Sequence, residues 1–237
     1  MKNWLAFLIK HNSMKEGKLR LKNAIKDYLY FIERGYSVKS VLKLISDHYR
    51  LNKEERTLLF RGVFSKKICK KRKNSLVSLK NLKNKTLHCD GFNIIFTILS
   101  YLYGIKTFIG LDSILRDASE SHNTIKMDDF FKKAIDILTN FLTNINIKNI
   151  IFYFDYPISH SKDIVFILEE EFCKKSLPIK TEVVQSPDFI LKNIVEGIIS
   201  TSDGIIIDNS KVKVFDLARN ALDYSFKPKY FDLRSLI

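Results

Sequence analysis

The stretch Leu87-His-Cys-Asp-Gly-Phe-Asn-Ile-Ile-Phe-Thr97 decides how this chain is read. A short apolar run ends at Asp90, Gly91 and Asn93 follow, and a long apolar segment begins at once. That is the pattern of a buried strand turning into a helix, with a carboxylate at the strand's carboxyl end beside the helix N-terminus. Open α/β sheets keep their chemistry at that edge. A carboxylate there can bind a cation, while Asn93 orients it or bonds the adjoining backbone. Asp, Gly and Asn are also ordinary cap and turn residues, so Asp-Gly-x-Asn alone describes a helix N-cap at least as well. The functional reading depends on what recurs downstream.

From about residue 85 strands and helices alternate. Thr86 to Cys89 reads as a strand, Ile94 to Tyr103 as a helix and Lys106 to Ile109 as a second strand. Asp128 to Thr143 is an amphipathic helix carrying Phe130, Phe131, Ile135, Leu138 and Phe141, and Asn149 to Phe154 is a strand apolar enough to be buried on both faces. Lys162 to Lys175 reads as a helix, Ile179 to Val184 as a strand, and Pro187 to Ser200 as a helix with Pro in its first turn. Gly204 to Ile207 and Val212 to Phe215 read as closing strands. This alternation implies an α/β fold, a mostly parallel sheet with helices on both faces.

An acid stands at or just beyond several of these strand ends: Asp90, Asp155 after Ile150-Ile-Phe-Tyr-Phe154, Asp188 in Ser186-Pro-Asp, and Asp203 in Ser200-Thr-Ser-Asp. In a parallel sheet such positions share one edge, so carboxylates distant in sequence converge. Two of them about 4 Å apart repel by roughly 4 kcal/mol at an effective dielectric near 20, so the cluster needs protons or a divalent cation. All-oxygen ligands without Cys or His at ligand spacing select Mg2+ or Mn2+. Taken singly, Asp188 and Asp203 are also plausible caps.

Cys89-Asp-Gly-Phe-Asn-Ile-Ile95, Phe152-Tyr-Phe-Asp-Tyr156, Ser186-Pro-Asp-Phe-Ile190 and Thr201-Ser-Asp-Gly204 resemble, in this order, the acidic motifs of PIN-like nucleases, the NYN branch above all. The resemblance covers roughly residues 85 to 220. It implies a three-layer α/β/α sandwich, hydrolysis of RNA phosphodiesters with Mg2+ or Mn2+, and pairing into a homodimer. It also implies that Asp90, Asp188 and Asp203 bind metal, with Asp155 a further acid at the same edge. Asn93 and Ser202 would orient the cluster. One departure is Phe189, which stands where the NYN pattern often has a second acid. A basic helical N-terminal region joined to such a core also resembles an uncharacterised archaeal family, a likeness that implies no activity.

The first third of the chain has a different character. Residues 1–80 hold 21 Lys and Arg against 6 Asp and Glu, net +15, whereas residues 81–237 hold 19 against 20, net −1. All the excess of the +14 chain lies in that third, and such asymmetry points to a polyanion, RNA rather than a membrane surface. Residues 18 to 64 read as about three helices. Gly35 ends the first, Ser37 caps the second, and Asn52 with Glu55 makes a capping-box start for the third. Lys66-Lys-Ile-Cys-Lys-Lys-Arg-Lys73 follows and reads as a linker, so the expected division is a basic helical domain over 1–80 and an α/β domain over 81–237. The cations Lys66, Lys67, Lys70, Lys71, Arg72 and Lys73 either solvate that linker or contact phosphates.

Other residues carry less. Asp112 or Asp117 could face the crevice, or pair locally with Arg116. Ser159, His160 and Ser161 lead into a helix whose N-terminus could hold a phosphate, with His160 a loop residue sooner than a general base. His88 reads as a satisfied core histidine. The widely spaced Cys69, Cys89 and Cys173 suggest neither disulfides nor zinc and fit a reduced, cytoplasmic setting. Residues 92 to 109 are divided by Asn93, Gly104 and Lys106 and do not read as a membrane span.

The expected function is therefore a metal-dependent ribonuclease, an Mg2+- or Mn2+-dependent hydrolase. The alternative is a non-catalytic RNA-binding module with a degenerate core. An enzyme on small phosphorylated substrates is disfavoured, since the chain has only 8 Gly and no phosphate-cradling loop.

Overall fold

The structure, a computed structural model, describes residues 2–119, 125–156 and 161–237. Four helices open the chain: α1 (Lys2–Ile32), α2 (Val38–His48), α3 (Lys53–Gly62) and α4 (Lys66–Ser75). Gly35, at φ +81, turns the chain after α1, a conformation that costs a residue without a Cβ little. At the start of α3 the Asn52 and Glu55 side chains each accept the other's backbone N–H at 2.9 Å. Ser37 occupies the N-cap position of α2, but its side chain makes no capping bond.

The expected linker is in fact α4. The Ser65 hydroxyl caps it by accepting the Ile68 N–H, and Cys69 and Arg72, three residues apart, form its inward face. Counting charges hid that stripe, because one of its two buried residues is itself cationic.

The remaining elements are β1 (Thr86–Asp90), α5 (Gly91–Leu102), β2 (Thr107–Ile109), β3 (Leu115–Asp117), α6 (Asp129–Thr143), β4 (Asn149–Asp155) and α7 (Ser161–Lys174). They continue with β5 (Ile179–Val184), α8 (Pro187–Asn193), β6 (Ile198–Ser200), α9 (Gly204–Asn209), β7 (Lys213–Val214), α10 (Leu217–Phe226) and β8 (Phe231–Asp232). Five strands form one sheet in the order β5-β4-β1-β6-β7, with every pair parallel.

Helices cover both faces of that sheet. Leu87, Cys89, Ile150, Phe152 and Phe154 pack with apolar residues of α5, α6, α7 and α10, while Tyr153, Ile199 and Val214 pack with Leu191 of α8 and Ile206 of α9. Burying each such side chain contributes about 1.5–3 kcal/mol. From the central β1 the chain builds outward to β4 and β5, then crosses back to place β6 on the other side. The switch point therefore lies between β1 and β6, where crevices in such sheets open.

Three expectations need correction. β2 does not join the large sheet. The Gly110–Ser113 turn, with Ser113 at φ +72, folds it back on β3, and β2 pairs with β8 in a second sheet ordered β3-β2-β8. The segment 187–200 is not one helix, for α8 ends at Asn193 and β6 begins at Ile198. Gly197 makes that turn at φ +99, and a Cβ there would collide with the Thr86 carbonyl at 2.6 Å. Finally, 204–207 is helical, because the Asp203 carboxylate accepts both the Ile205 and Ile206 N–H groups and sets a helix start that outweighs the strand preference of three isoleucines.

The N-terminal helices share a core with the second sheet. Tyr28, Ile45, Leu58, Leu59 and Cys69 cluster with Phe108, Leu111, Ala118, Leu233 and Leu236. α3 lies so close to β2 that a Cβ on Gly62 would run into Phe108 and Leu233. Among the described residues no helix is long and apolar enough to cross a membrane.

Candidate functional site

Asp90 ends β1 and N-caps α5. Its Oδ1 accepts the Asn93 N–H at 3.4 Å and its Oδ2 accepts the Thr201 hydroxyl at 2.9 Å. The Phe154 ring fills the space a Cβ on Gly91 would need, so glycine is what lets α5 start directly over β4. Both readings of Asp-Gly-x-Asn thus describe one geometry, a cap whose carboxylate also faces the switch point. Asn93 Oδ1 in turn accepts the Ser202 N–H at 2.8 Å, and the Thr201 hydroxyl accepts the Asp203 N–H at 3.1 Å. Two cross-links therefore tie the end of β1 to the loop after β6.

The other acids lie at the ends of neighbouring elements. Asp155 ends β4, Asp188 lies in the first turn of α8, and Asp203 N-caps α9. Burial pushes the Asp90 carboxyl up to about 7, and the charges of Asp188 and Asp203 add to the push against the Thr201 and Asn93 hydrogen bonds. Burial and the Asp188 charge likewise raise Asp155. Asp155 Oδ1 and Ser202 Oγ are buried without a hydrogen-bond partner. Asp188 is more open and faces Lys192 at 3.6 Å.

The donor types are those a hard divalent cation takes: all are oxygens, the charges of Asp188 and Asp203 act on Asp90, and buried Asp155 Oδ1 has no hydrogen-bond partner. Among the described residues no three His, Cys, Asp or Glu side chains stand close enough together to hold an ion.

Arg72 does not face phosphate. It is 4% exposed, its guanidinium grips Asp208 at 2.7 and 2.8 Å and Asp112 at 2.9 Å, and it lies over the Phe64 ring. A guanidinium so enclosed serves the fold, which corrects its expected role in nucleic-acid binding. Lys71 has its ammonium on the Asp208 carbonyl at 2.5 Å. Lys66, Lys67, Lys70 and Lys73 point outward.

Asp112 is the centre of this ionic knot rather than a crevice acid. Burial would raise its carboxyl, but Arg116, bound through both oxygens at 2.8 Å, and Arg72 outweigh that and hold it below the usual range. Arg116 Nε also donates to the Ser202 carbonyl at 3.0 Å, and Arg72 reaches the Gly204 carbonyl. The knot thereby fixes both sides of Asp203. Asp117 pairs with Arg61 and Ser119. His88 is buried and bonded to the Tyr153 hydroxyl at 3.0 Å, with burial lowering its pKa. Ser159 and His160 lie outside the described residues, as does the Ser161 side chain.

Sequence reasoning missed Thr201, which joins two of the acids, and the bond by which Arg116 anchors their loop. It also missed the part that α2 and α3 take. A cleft of about 470 Å³ opens at Asn93 and Asp203, and Leu42, Arg56, Phe60 and Arg61 of α2 and α3 line it too. The Ser-Asp motif was a signal for Thr201; nothing in the sequence places α3 at this cleft.

Residues 79–220 match the family described as a domain of unknown function, DUF5616, and residues 20–74 match that described as a protein of unknown function, DUF434. The chain is similar to an uncharacterized protein of Methanocaldococcus jannaschii, MJ0935, at 34% identity over 209 residues, 87% of this chain and 98% of that one. No solved structure matches.

Proposed function

The chain belongs to the DUF5616 family, and from that premise we propose that it is a metal-dependent ribonuclease whose site is the edge built by Asp90, Asp155, Asp188 and Asp203. The observation that carries this reading is that Asp90 and Asp155 end neighbouring parallel strands while Asp188 and Asp203 follow β5 and β6, with Asp90 forced up to about 7 at the switch point. A protein does not keep like charges there for stability. The order of the four motifs, which resembles that of PIN-like nucleases of the NYN branch, supports the same reading, and the net +15 of residues 1–80 supplies a surface for an RNA backbone.

Asp90, Asp155, Asp188 and Asp203 would hold Mg2+ or Mn2+. Such a cation supplies Lewis acidity, lowering the pKa of an attacking water and offsetting charge on the phosphate. The chain's own residues orient the acids. Thr201 fixes Asp90 against the Asp203 backbone, Asn93 and Ser202 lock the two loops, and Arg116 holds the second loop from behind. No protein nucleophile is required.

A non-catalytic RNA-binding module is the second reading, favoured by one observation, that no three acids stand ready for an ion among the described residues. Cleavage of a labelled mixed-sequence RNA in Mn2+ separates the two. The nuclease reading expects cleavage by the wild type and its loss in Asp90→Asn with RNA binding retained; equal cleavage by that variant excludes the mechanism.

A further inference from the structure

We propose that Phe60 is a positioning residue for RNA, a platform on which an unpaired base stacks so that the adjoining phosphate reaches the cation that Asp203 and Asp90 would hold. This rests on the ribonuclease reading for what happens to the phosphate, but not for the stacking itself.

The packing of α3 sets the ring in place. Leu58 and Leu59 are fully buried against the second sheet, which turns Phe60 outward and leaves it 54% exposed. Phe60 faces the same cleft as Asn93 and Asp203. Arg56 stands four residues before it, one helical turn away on the same side, and also lines the cleft. Arg56 is held by the Leu51 carbonyl at 3.0 Å and, more loosely, by Asp47 at 3.9 Å, with half its side chain exposed. The cleft therefore brings an exposed ring and a cation together with Asn93 and Asp203.

That combination selects the ligand. Single-stranded nucleic acid is held by aromatic rings that stack on bases and by cations that follow the backbone. A base inside a duplex has both faces covered and offers only its edges. The cleft has the size of a site for a small ligand, about 300–1,000 Å³, so it suits a nucleotide or two rather than a helix. The charge of the N-terminal third fits a polyanion. A protein helix laid in this cleft would bring nothing that calls for a ring, a guanidinium and a carboxylate together.

The test measures binding of one short fluorescein-labelled RNA, single-stranded and as its duplex, by fluorescence anisotropy in EDTA, where affinity is read without cleavage. Phe60→Ala and Phe60→Leu should each weaken single-strand binding about tenfold, the size of one lost base stack. Phe60→Trp should restore it, with tryptophan emission quenched by the RNA, and duplex binding should not change. In Mn2+, Phe60→Ala should raise KM far more than it lowers kcat. Because Phe60 is exposed, all three variants should melt with the wild type. Unchanged affinity in Phe60→Ala and Phe60→Leu, a Trp variant as weak as Ala, equal losses for duplex, or no RNA binding by the wild type would each overturn the proposal. Failure of the ribonuclease reading looks different, since the Phe60 effects on binding would stand while Mn2+ produced no cleavage.

Discussion

At the scale of single residues, the enclosed carboxyl of Asp90 leaves a signature in stability. Its carboxyl titrates near 7 in the folded chain against an ordinary 3.8, so the folded state holds that proton more tightly than the unfolded one. The contribution is fully present below about pH 4 and is lost as pH rises through about 7. Asp216, which N-caps α10 and is raised by burial to about 6, adds a second loss lower in the same window. Thermal melts from pH 4 to 8 in EDTA should therefore show the wild type losing stability as pH rises, and Asp90→Asn losing distinctly less. Parallel curves would mean that Asp90 is not held in the protonated state described. The placement of the four acids and Asn93 at or just after strand ends was legible in the sequence because each ends or follows an apolar run. The local pairing of Arg116 with Asp112 was also legible, whereas the bonds of Thr201 to Asp90 and of Arg116 to the Ser202 carbonyl were not, since those partners lie over 80 residues away.

At the scale of elements, α4 has two faces with two tasks. Its inner face sends Arg72 into the knot with Asp112 and Asp208, which braces α9 and therefore the Asp203 cap. Its outer face leaves Lys66, Lys67, Lys70 and Lys73 in solvent. Replacing those four by alanine should weaken RNA binding at every sequence alike and flatten its salt dependence, by about 0.7 in log–log slope for each single-strand phosphate that is no longer neutralised. Titrations at several salt concentrations measure this, and an unchanged slope would remove α4 from the RNA path. The segment read as a linker because six of its eight residues are cationic, and charge alone does not reveal that every third or fourth position faces a core. β6 and α9 were exchanged for similar reasons. Three residues are too few for periodicity to identify a strand, and one carboxylate cap decided the isoleucine run.

At the scale of the whole molecule, the N-terminal helices and the second sheet share one core. The helices bury Phe108 of β2 with Leu111 and Leu233 beside it, and that packing sets α3 along the cleft that Asn93 and Asp203 line. A fragment of residues 81–237 should expose those side chains and aggregate or melt far below the full chain, and the full chain should unfold in one transition by both far-UV and near-UV dichroism. A stable, monomeric fragment with the melting point of the intact chain would contradict a shared core. The parallel α/β core was legible from alternating strands and helices. The second sheet was not, because β2 looks like any other strand until Ser113 turns it back and the distant β8 pairs with it.

Calorimetric titration of manganese into the wild type and into Asp90→Asn/Asp203→Asn, with cleavage of a labelled RNA followed alongside, tests the central claim most directly. A metal-dependent ribonuclease with this site requires that the wild type bind the ion and cleave, and that the variant do neither while still binding RNA. A wild type that binds RNA but neither takes up manganese nor cleaves, or a variant that matches it in both, would contradict the claim.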